Sequence, residues 1–571
     1  MLSALLAGSD EVARVASASA TALGVAAAAF AESVRRTTTP RTMAVPKRDA
    51  EPVATSGPWT AARLKRVLHD SLEGERVIVV ANREPRIHEW DANGEVVVRH
   101  PASGLVTALE PVMRACSGVW VAHGSGSADR ESADRLGRCT VSTGDAEYCL
   151  RRVWLSDEEE GGYYYGFANE ALWPLCHLAH AHPVFRRDDW AHYQRINQRF
   201  ADAVSAEADC EAPIVLVQDY HFALVPRMLR RRFPRATILT FWHIPWPNAE
   251  RLSICPYRDP LLEGLLGSSM VGFQTPQHCH NFLESVDRSL EARVEHDDMA
   301  VVHQRQTTVV RSYPISIEWP SRLADSTADV DTCRQAVREE LGLPLDAKLV
   351  VSVDRLDYTK GIEERLRTCE RALERWGTNA GLLAFLQVGA PSRTRIERYR
   401  EFGIRVRREV TRINERFGTA GYTPVVLAER HYEPHEVFRL YKAADACYVS
   451  SLHDGMNLVA KEFVAARDDE RGVLLLSRFA GAARELTEAL IVNPYDVEAV
   501  ADVLIAALGM SIAEQRERMR ALRQQVAEFN VYRWAGRMLL DATRLRHRER
   551  LQGRLQMRLA ARRLERAAHF G

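Results

Sequence analysis

Two short segments in the C-terminal half of the chain combine residue types whose spacing could bind a phosphorylated ligand. In the first, an apolar run over Lys348–Val353 leads to Arg355 and then to Lys360, and Gly361 follows in a turn. A strand that ends in such a turn holds both cations at one end of a sheet. Two cations in fixed positions suit the oxygens of a pyrophosphate. An ordinary solvated turn is the alternative interpretation.

The second segment runs from His453 to Glu462 and predicts the start of a helix. Gly455 opens it, Asp454 precedes that glycine, and Glu462 follows eight residues after the aspartate. Free N–H groups at a helix start favour phosphate oxygens, and carboxylates can accept hydrogen bonds from sugar and ribose hydroxyls. A helix cap and a surface charge would explain the two carboxylates separately. One ligand, a sugar nucleotide, explains both segments together.

The elements that position these segments are predicted from short β-branched runs that alternate with amphipathic helices from Arg76 onward. This alternation is typical of an α/β fold, in which helices cover both faces of a parallel sheet. The pattern restarts after Pro314–Pro320, so a second α/β domain is expected. The predicted strands of the first domain are Val77–Ala81, Val119–Ala122, Ile214–Gln218, Thr237–Trp242, Met270–Phe273 and Thr308–Tyr313, with helices such as Asp189–Glu207 and Ala223–Arg232. The predicted strands of the second are Leu349–Val353, Leu383–Val388, Val425–Ala428, Ala446–Ser450, Val473–Leu476 and Leu490–Val492.

Candidate polar residues directly follow four of these strands. Asp219 and His243 follow strands of the first domain, and Arg355 and Asp454 follow strands of the second. Ligands of open α/β sheets bind at the carboxyl ends of the strands, so two facing sheets predict one central cleft. The sequence Ile-Pro-Trp-Pro after His243 ends its strand and predicts a loop with an exposed imidazole ring. A core histidine with satisfied hydrogen bonds is the alternative.

Several blocks of sequence, taken together, point to a known family. In chain order they are Val80-Ala-Asn-Arg-Glu84, Trp173-Pro174, Gln218-Asp-Tyr-His221, Trp242-His-Ile-Pro-Trp-Pro247, Val351-Ser-Val-Asp-Arg-Leu-Asp-Tyr-Thr-Lys-Gly361, His453-Asp-Gly-Met-Asn-Leu-Val-Ala-Lys-Glu462 and Phe479-Ala-Gly-Ala-Ala-Arg-Glu485. This set resembles the motifs of trehalose-6-phosphate synthases (UDP-forming), which are retaining glycosyltransferases with the GT-B fold of two Rossmann-like domains. A single motif would be weak, whereas so many blocks in order are specific. The likeness extends from about Val77 to about Trp534.

The resemblance implies a donor-binding wall in the second domain. Arg355 and Lys360 would hold the donor diphosphate, and Leu458 and Val459 would offer it their backbone N–H groups. The further donor contacts that the resemblance implies are Asp454 to the transferred glucose, Glu462 to the ribose, Tyr432 beside the nucleobase, Gly455, Met456 and Asn457 along the pocket, and Gly104 in a glycine loop over the donor.

On the other wall, the resemblance implies an acceptor site. The positions that match it are Arg83, Tyr164, Trp173 and Arg393 for the acceptor's phosphate and sugar, with Asp219 and His243 close to the reacting centre. Tyr164 lies in a run of three tyrosines, so this match could shift by one residue, and Trp173 could instead belong to the core. The residues expected to act in catalysis are Asp219, His243, Arg355, Lys360 and Asp454.

The chemistry of the donor explains why fixed cations are needed. Departure of a diphosphate builds negative charge, which cations and helix N–H groups can stabilise without a metal. No metal or other cofactor is therefore expected, and no Asp-x-Asp metal motif occurs where one would be expected. A double displacement would need a nucleophilic carboxylate near the anomeric carbon. The resemblance implies front-face displacement instead, in which Asp219 orients hydroxyls and His243 bonds the donor sugar.

The sequence departs from the family pattern on the acceptor side. Where Trp-x-Gly-Trp is expected, this chain reads Trp120-Val-Ala-His123, and the loop Glu84–Pro101 is longer and more charged than expected. The first alternative to glucose 6-phosphate is therefore another phosphorylated acceptor, such as glycerol 3-phosphate. A non-catalytic sugar-phosphate sensor is a second alternative, which the retained donor residues disfavour.

Composition limits the partners. The chain of 571 residues carries 76 Lys plus Arg and 76 Asp plus Glu, so its formal charge of zero predicts neither nucleic acid nor an anionic membrane as a partner. Ten cysteines without a C-x-x-C pair indicate reduced thiols in the cytoplasm. The expected partners are UDP-glucose and glucose 6-phosphate, a second copy of the chain in a homo-oligomer, and a separate trehalose-phosphate phosphatase downstream. His278-Cys279-His280 is interpreted as a helix start after Thr275-Pro276 rather than as a metal site.

The predicted domain organisation has four parts. Residues 1–57 are rich in Ala, Ser and Thr and predict a disordered or weakly helical extension, not a membrane span. Residues 58–325 are expected to form the acceptor-binding domain and residues 326–535 the nucleotide-sugar-binding domain, with final helices that cross back to the first. Residues 536–571 form an Arg-rich tail, in which Arg544–Arg566 predicts a basic amphipathic helix. A solvated terminal helix is favoured over a role at a membrane or partner surface.

Overall fold

The computed structural model describes residues 58–72, 76–101, 104–143, 146–377 and 382–569. The extension predicted over residues 1–57 lies outside the described residues. The described chain forms two large sheets and one small hairpin, with helices packed against them. The predicted α/β fold with two mostly parallel sheets is confirmed.

The larger sheet belongs to the first half of the chain. In chain order, the strands of this half are β1 (Val77–Val80), β2 (Ile87–Trp90), β3 (Val96–Arg99), β4 (Val119–His123), β5 (Arg138–Thr143), β6 (Ala146–Val153), β7 (Ile214–Gln218), β8 (Thr237–Trp242), β9 (Met270–Phe273), β10 (Arg293–Glu295), β11 (Ala300–His303) and β12 (Gln306–Ser312). Ten of them pair in the order β10-β11-β12-β9-β8-β7-β1-β4-β6-β5, parallel in the centre and antiparallel at both edges. The central strands β1, β7 and β8 are buried throughout, as continuous apolar runs predict.

The second sheet has six parallel strands. They are β13 (Lys348–Arg355), β14 (Leu383–Ala390), β15 (Val425–Ala428), β16 (Ala446–Val449), β17 (Val473–Ser477) and β18 (Leu490–Val492). Their order, β15-β14-β13-β16-β17-β18, reverses between β13 and β16. Such a reversal opens a crevice at the carboxyl ends of the two strands, where ligands of doubly wound sheets bind.

Helices connect the strands and cover the sheets. The α-helices are Ala61–Leu72, Gly104–Cys116, Asp157–Glu160, Trp173–Cys176, Arg187–Glu207, Val225–Arg232, Ala249–Ser253, Arg258–Leu265, Pro276–Ser289, Arg322–Ser326, Val330–Glu340, Ile362–Trp376, Glu397–Phe417, Pro434–Ala443, Leu458–Ala466, Val497–Leu508, Ile512–Glu528 and Val531–His569. Short 3₁₀ turns cover Tyr220–Phe222, Tyr358–Lys360 and Gly481–Arg484. The predicted helix start at Thr275-Pro276 is confirmed, because the Thr275 hydroxyl accepts the N–H of His278 at 3.4 Å.

One helical segment departs from α geometry over its whole centre. Residues Gly161–Leu172 form twelve residues of π-helix between two short α-helical turns. Added Cβ atoms at Gly162 and Gly166 would lie 2.6 and 2.4 Å from atoms of His192 and Asp189, so both glycines admit the neighbouring helix. π-Helical turns are rare and concentrate at functional sites. This segment carries Tyr164 and leads directly into Trp173.

The loop Glu84–Pro101, predicted as a long charged connection, contains the hairpin of β2 and β3. Strand β6 was not predicted, and it contains Arg152, a residue type that is rarely buried in a strand. That side chain is fully buried, with 2.8 Å ion pairs to Glu84 and to Asp129. A buried arginine in a strand is compatible with the core only when such partners are present.

The C-terminal helix Val531–His569 packs its first turns against the first half of the chain. The Asn530 amide donates to the carbonyl of Trp59 at 2.9 Å, and Tyr313 donates to Asp541 at 2.7 Å. The helix includes the segment predicted as basic and amphipathic. Among the described helices, none combines the length and apolar character that a membrane span requires.

Candidate active site

The turn after β13 fixes the first pair of cations. Arg355 ends the strand, and the Asp357 carboxylate accepts the N–H of Thr359 at 3.0 Å, which starts the turn that carries Lys360. Gly361 has a φ of 63°, and a Cβ there would lie 2.2 Å from the carbonyl oxygen of Ser450. Only glycine satisfies both constraints without distortion. The predicted turn therefore holds the backbone of Lys360 and Gly361 against the carboxyl end of β16.

Lys360 forms an ion pair with Asp454 across the sheet. Its Nζ donates to Asp454 Oδ2 at 2.5 Å, and Ser451 and Asn457 donate to the same oxygen at 3.2 Å. Burial opposes ionisation of Asp454, but Lys360 prevails and lowers the pKa of the carboxyl to about 2. Asp454 is therefore a fixed carboxylate at physiological pH, able to accept hydrogen bonds from hydroxyls.

The predicted helix start follows directly. Asn457, with a φ of 81°, accepts the N–H of Ala460 at 3.2 Å, and the helix begins at Leu458. The N–H groups of the first turn have no partner within a helix, so those of Leu458 and Val459 are oriented to meet an anion. Glu462 lies one turn further and accepts the Tyr441 hydroxyl at 3.3 Å. Burial raises the pKa of Glu462 to about 7.

One predicted donor residue, Gly104, lies beside this helix start. A Cβ at Gly104 would lie 3.2 Å from Leu458 Cδ1. This contact places the first turn of the helix Gly104–Cys116 against the helix Leu458–Ala466, called the donor helix below. Tyr432 lies in the loop after β15, and the Arg430 guanidinium stacks 3.7 Å above the centre of its ring. The contact at Gly104 brings this residue to the donor side of the cleft, whereas the contact at Tyr432 is local to its loop.

The π-helix places Tyr164 against Arg83. Arg83 donates to the Tyr164 hydroxyl at 2.9 Å, whereas Tyr163 is buried and donates to Asn82 at 2.9 Å. Burial raises the pKa of Tyr164, but the nearby cations Arg83 and Arg393 outweigh it, so the pKa falls to about 8. Of the three consecutive tyrosines, Tyr164 is thus the one that faces the cations.

Arg393 is the most constrained residue of this cluster. Its φ of 50° lies in the left-handed region, and its guanidinium lies 4.0 Å from the ring centre of Trp173. The guanidinium donates to Asp357 at 3.2 Å, to Tyr399 at 2.5 Å and to Tyr220 at 3.3 Å. The guanidinium of Arg355 lies 5.4 Å from the same indole ring. Trp173 is buried, but it forms the platform on which two cations meet rather than an ordinary core residue.

Asp219 and His243 lie at the carboxyl ends of β7 and β8, facing this cluster. Asp219 has a φ of 74°, a strained conformation that concentrates at functional sites, and its Oδ1 accepts the N–H of His243 at 3.1 Å. Burial raises the pKa of Asp219 to about 7. The prediction of an exposed His243 ring was wrong. The ring is half-buried. Its Nε2 forms a hydrogen bond with Gln218 Oε1 at 2.8 Å, and it makes an edge-to-face contact with the ring of Phe241.

His123, where the family pattern has tryptophan, lines a small polar pocket. The pocket is bounded by Asn82, Arg83, Glu84, Ile87, His123, Ser125, Glu160, Tyr164 and Tyr165. Burial, with Arg83 nearby, lowers the pKa of His123 to about 4, so the imidazole is neutral. Below it, burial and the neighbouring Asp129 raise the pKa of Glu84 to about 8. The pocket is therefore lined by neutral and anionic groups, with a single cation at its edge.

Sequence reasoning missed residues that hold the predicted ones in place. Asp357 and Tyr220 both bond Arg393, and each lies inside a quoted motif, two residues after Arg355 and one after Asp219. Tyr399 has no such motif, and only the fold brings it to Arg393. Within the described ranges, no group of three or more His, Cys, Asp or Glu is placed to hold a metal ion.

Two doubly wound sheets with a cation pair, a free helix start and a carboxylate in the cleft between them define a nucleotide-sugar glycosyltransferase of the GT-B class. Comparison with known proteins identifies the family. The model of glycosyltransferase family 20 matches residues 75–544, and the chain belongs to this family.

Three relatives illustrate the relationship. The trehalose-6-phosphate synthase of Mycobacterium avium is 40% identical over 475 residues, 81% of this chain and 94% of that protein. The Escherichia coli enzyme bound to UDP-2-fluoro glucose is 30% identical, with a TM-score of 0.71 over 82% of this chain and 99% of that chain. The Burkholderia xenovorans enzyme in complex with glucose 6-phosphate is 31% identical, with the same TM-score and coverage.

Proposed function

We propose that the protein transfers glucose from UDP-glucose to glucose 6-phosphate, which gives trehalose 6-phosphate and UDP. The single observation that carries the proposal is the cleft itself, where an anion-binding helix start and the Lys360–Asp454 pair face a separate arginine cluster. One side suits a sugar diphosphate and the other a phosphate monoester. Related enzymes bind UDP-2-fluoro glucose and glucose 6-phosphate.

On the donor side, Arg355, Lys360 and the N–H groups of Leu458 and Val459 would hold the diphosphate. Negative charge grows there as the glycosidic bond breaks, and preorganised donors stabilise it without reorganisation. Asp454 would accept hydrogen bonds from hydroxyls of the transferred glucose. The remaining donor contacts proposed are Glu462 with the ribose, Tyr432 with the base, and Gly104, Gly455, Met456 and Asn457 along the pocket.

On the acceptor side, Arg83 and Arg393 would bind the phosphate of glucose 6-phosphate. Each guanidinium can donate two hydrogen bonds to phosphate oxygens, and Tyr164 and Trp173 hold these cations in place. His123 would contact the sugar ring, and Asp219 would orient its hydroxyls. His243 lies at the junction of the two sites.

Transfer with retention is described for this family, and the site supports a front-face route. In this route, the acceptor hydroxyl attacks from the side on which the diphosphate leaves, and a leaving phosphate oxygen takes the proton. Asp219 would orient the reacting hydroxyl. In this proposal, the negative charge of the leaving diphosphate is balanced by side chains. Activity should therefore persist after treatment with a metal chelator.

One observation favours a second acceptor. His123 stands where the family pattern has an indole and lines a polar pocket, which offers hydrogen-bonding groups to a phosphorylated acceptor other than glucose 6-phosphate, such as glycerol 3-phosphate. The product of either reaction is a phosphate monoester, so a separate phosphatase would act on it. A homo-oligomer and a cytoplasmic location remain predictions.

The test is purified protein with UDP-, ADP- and GDP-glucose and with both acceptors, followed by measurement of nucleotide release and product identity. We expect fastest release of UDP with glucose 6-phosphate, and an α,α-linked product by NMR. If no nucleotide is released with either acceptor, the transferase proposal is overturned. A faster reaction with glycerol 3-phosphate than with glucose 6-phosphate would make glycerol 3-phosphate the proposed acceptor.

A further inference from the structure

The segment before the donor helix is attached to the first half of the chain at two points on either side of Asp454. The N–H of Leu178 donates to Nδ1 of His453 at 3.1 Å, although the two residues are 275 positions apart. Gly455 lies against His243 so closely that a Cβ there would be 2.1 Å from the His243 carbonyl oxygen. The backbone on both sides of Asp454 is therefore held against the first half of the chain.

The imidazole ring of His453 also contacts two other imidazole rings at the boundary between the two halves of the chain, called the seam below. The ring centres of His177 and His278 lie 6.2 and 6.4 Å from that of His453, each nearly perpendicular to it. His177 donates its own Nδ1 proton to the Trp173 carbonyl at 2.8 Å, which leaves its Nε2 unprotonated. In the described part of the chain, Nδ1 of His278 is buried without a partner.

The surroundings keep all three rings neutral. Burial lowers the pKa of His177 and His278 to about 3, and burial also lowers the pKa of His453. Carboxylates of Asp454 and Asp357 face the seam and favour protonation. They are opposed by burial and by the cation Arg484, which lies near His278.

The hydrogen bond to Leu178 depends on the protonation state of His453. Nδ1 accepts a hydrogen bond only when it carries no proton, so the neutral ring must have its proton on Nε2. Protonation would turn Nδ1 into a donor that faces another donor. It would also place a positive charge beside two further imidazoles.

We propose that His453 is a positioning residue for the transfer, whose neutral ring ties the Asp454 segment to the opposite half and releases it when protonated. This inference rests on the proposed function, because it assigns Asp454 to the transferred sugar. His453 contributes no group to the chemistry. Its loss should therefore weaken donor binding and turnover without abolishing either.

The sign of the pH dependence follows from the lowered pKa. The connection is fully present above the ordinary histidine pKa of about 6.5 and is lost as the pH falls through the lower value in the folded protein. Donor affinity should therefore fall in acid more steeply than the titration of the substrate-contacting groups requires.

The test compares His453→Asn, His453→Gln and His453→Leu in the full chain. Asparagine places its Oδ1 where Nδ1 lies and cannot titrate, whereas glutamine places its amide near Nε2. Isothermal titration calorimetry with UDP-glucose in the absence of acceptor, and kcat/KM for UDP-glucose between about pH 5 and 8, are measured for each protein. His280→Asn, on the exposed face of the helix Pro276–Ser289, is the matched control.

At pH 8 the asparagine variant should match wild type within about twofold, whereas the glutamine and leucine variants should lose roughly three- to tenfold, the range of one hydrogen bond. Towards pH 5 the asparagine variant should lose less than wild type. Equal values for asparagine and glutamine, or identical acid limbs for asparagine and wild type, would overturn the proposal. Should the leucine variant fail to fold, the asparagine and glutamine pair decides.

The two readouts separate this proposal from the proposed function. If wild type transfers no glucose but the asparagine variant still binds UDP-glucose more tightly than the glutamine variant, the proposed function fails, and the role of His453 in positioning Asp454 for a bound sugar nucleotide stands. If wild type transfers glucose and no order is seen, only the positioning role fails.

Discussion

The donor side of the cleft is a site of paired charges, whereas the acceptor side is a cluster of cations. Lys360 and Asp454 neutralise each other, and Asn457 caps the helix beside them. On the acceptor side, Arg83 donates to a neutral tyrosine, and Arg393 shares the carboxylate of Asp357 with Arg355 of the donor side. The donor side is therefore formed before ligand arrives, while the acceptor side carries excess positive charge that a phosphate dianion would neutralise.

Replacing Lys360 should have the largest effect, because it removes two interactions of the donor side at once. Lys360→Met removes a diphosphate contact and leaves Asp454 buried without its cation. We expect kcat/KM for UDP-glucose to fall by about 10²–10³-fold, as for loss of one preorganised group. Lys65→Met, at an exposed position of the helix Ala61–Leu72, is the control and should match wild type. A fall of less than tenfold for Lys360→Met would contradict the paired-site interpretation.

Arg393→Lys tests the cation cluster on the other side. The charge remains, but the fork that bonds Asp357 and a phosphate oxygen together is lost. The KM for glucose 6-phosphate should rise by roughly 10–100-fold, with the KM for UDP-glucose changed less than threefold. Arg395→Lys, at an exposed arginine nearby, provides the control. Equal changes in both KM values would mean that Arg393 does not distinguish the two sides.

The pH profile should show which side titrates near neutrality. Asp219 has a pKa raised to about 7, so its carboxylate form is lost as the pH falls below that value. If the carboxylate orients the acceptor hydroxyl, kcat/KM should fall about tenfold per pH unit below 7. The Asp219→Asn variant should have lower activity and a flatter acid limb, measured by UDP release. An unchanged limb would assign it to Glu462, whose pKa is also raised to about 7.

His123→Trp should have the smallest effect with glucose 6-phosphate and the clearest effect on selectivity. An indole would occupy the small polar pocket that His123 lines. We expect the KM for glucose 6-phosphate to change by about threefold or less, and any reaction with glycerol 3-phosphate to slow by more. A competition assay with both acceptors measures the ratio directly. A ratio equal to that of wild type would remove His123 from acceptor selection.

The sequence was most informative where apolar runs are continuous. Ile214–Gln218 and Met270–Phe273 begin and end where predicted, and every residue of both strands is buried. The fold of both sheets and the gathering of strand-end residues into one cleft followed from this pattern. The family resemblance then supplied roles that spacing alone could not.

What the sequence could not reveal depends on partners far apart in the chain. Arg152 is buried because Glu84 and Asp129 meet it, and they lie 68 and 23 residues away. The π-helix over Gly161–Leu172 differs from an α-helix by its packing against the helix Arg187–Glu207, not by its local pattern. The exposed His243 ring was predicted from its loop, whereas the bond to Gln218 decides its position.

The stacking of Arg393 and Arg355 on Trp173 has an optical consequence. Indole emission is sensitive to nearby charge, and here two guanidinium groups lie 4.0 and 5.4 Å from the ring centre. A phosphate that draws on those cations would change the electric field across the ring. Trp173 is thus an intrinsic fluorophore at the junction of the two halves, and subtracting the spectrum of Trp173→Phe from that of wild type would isolate its signal from the other ten tryptophans.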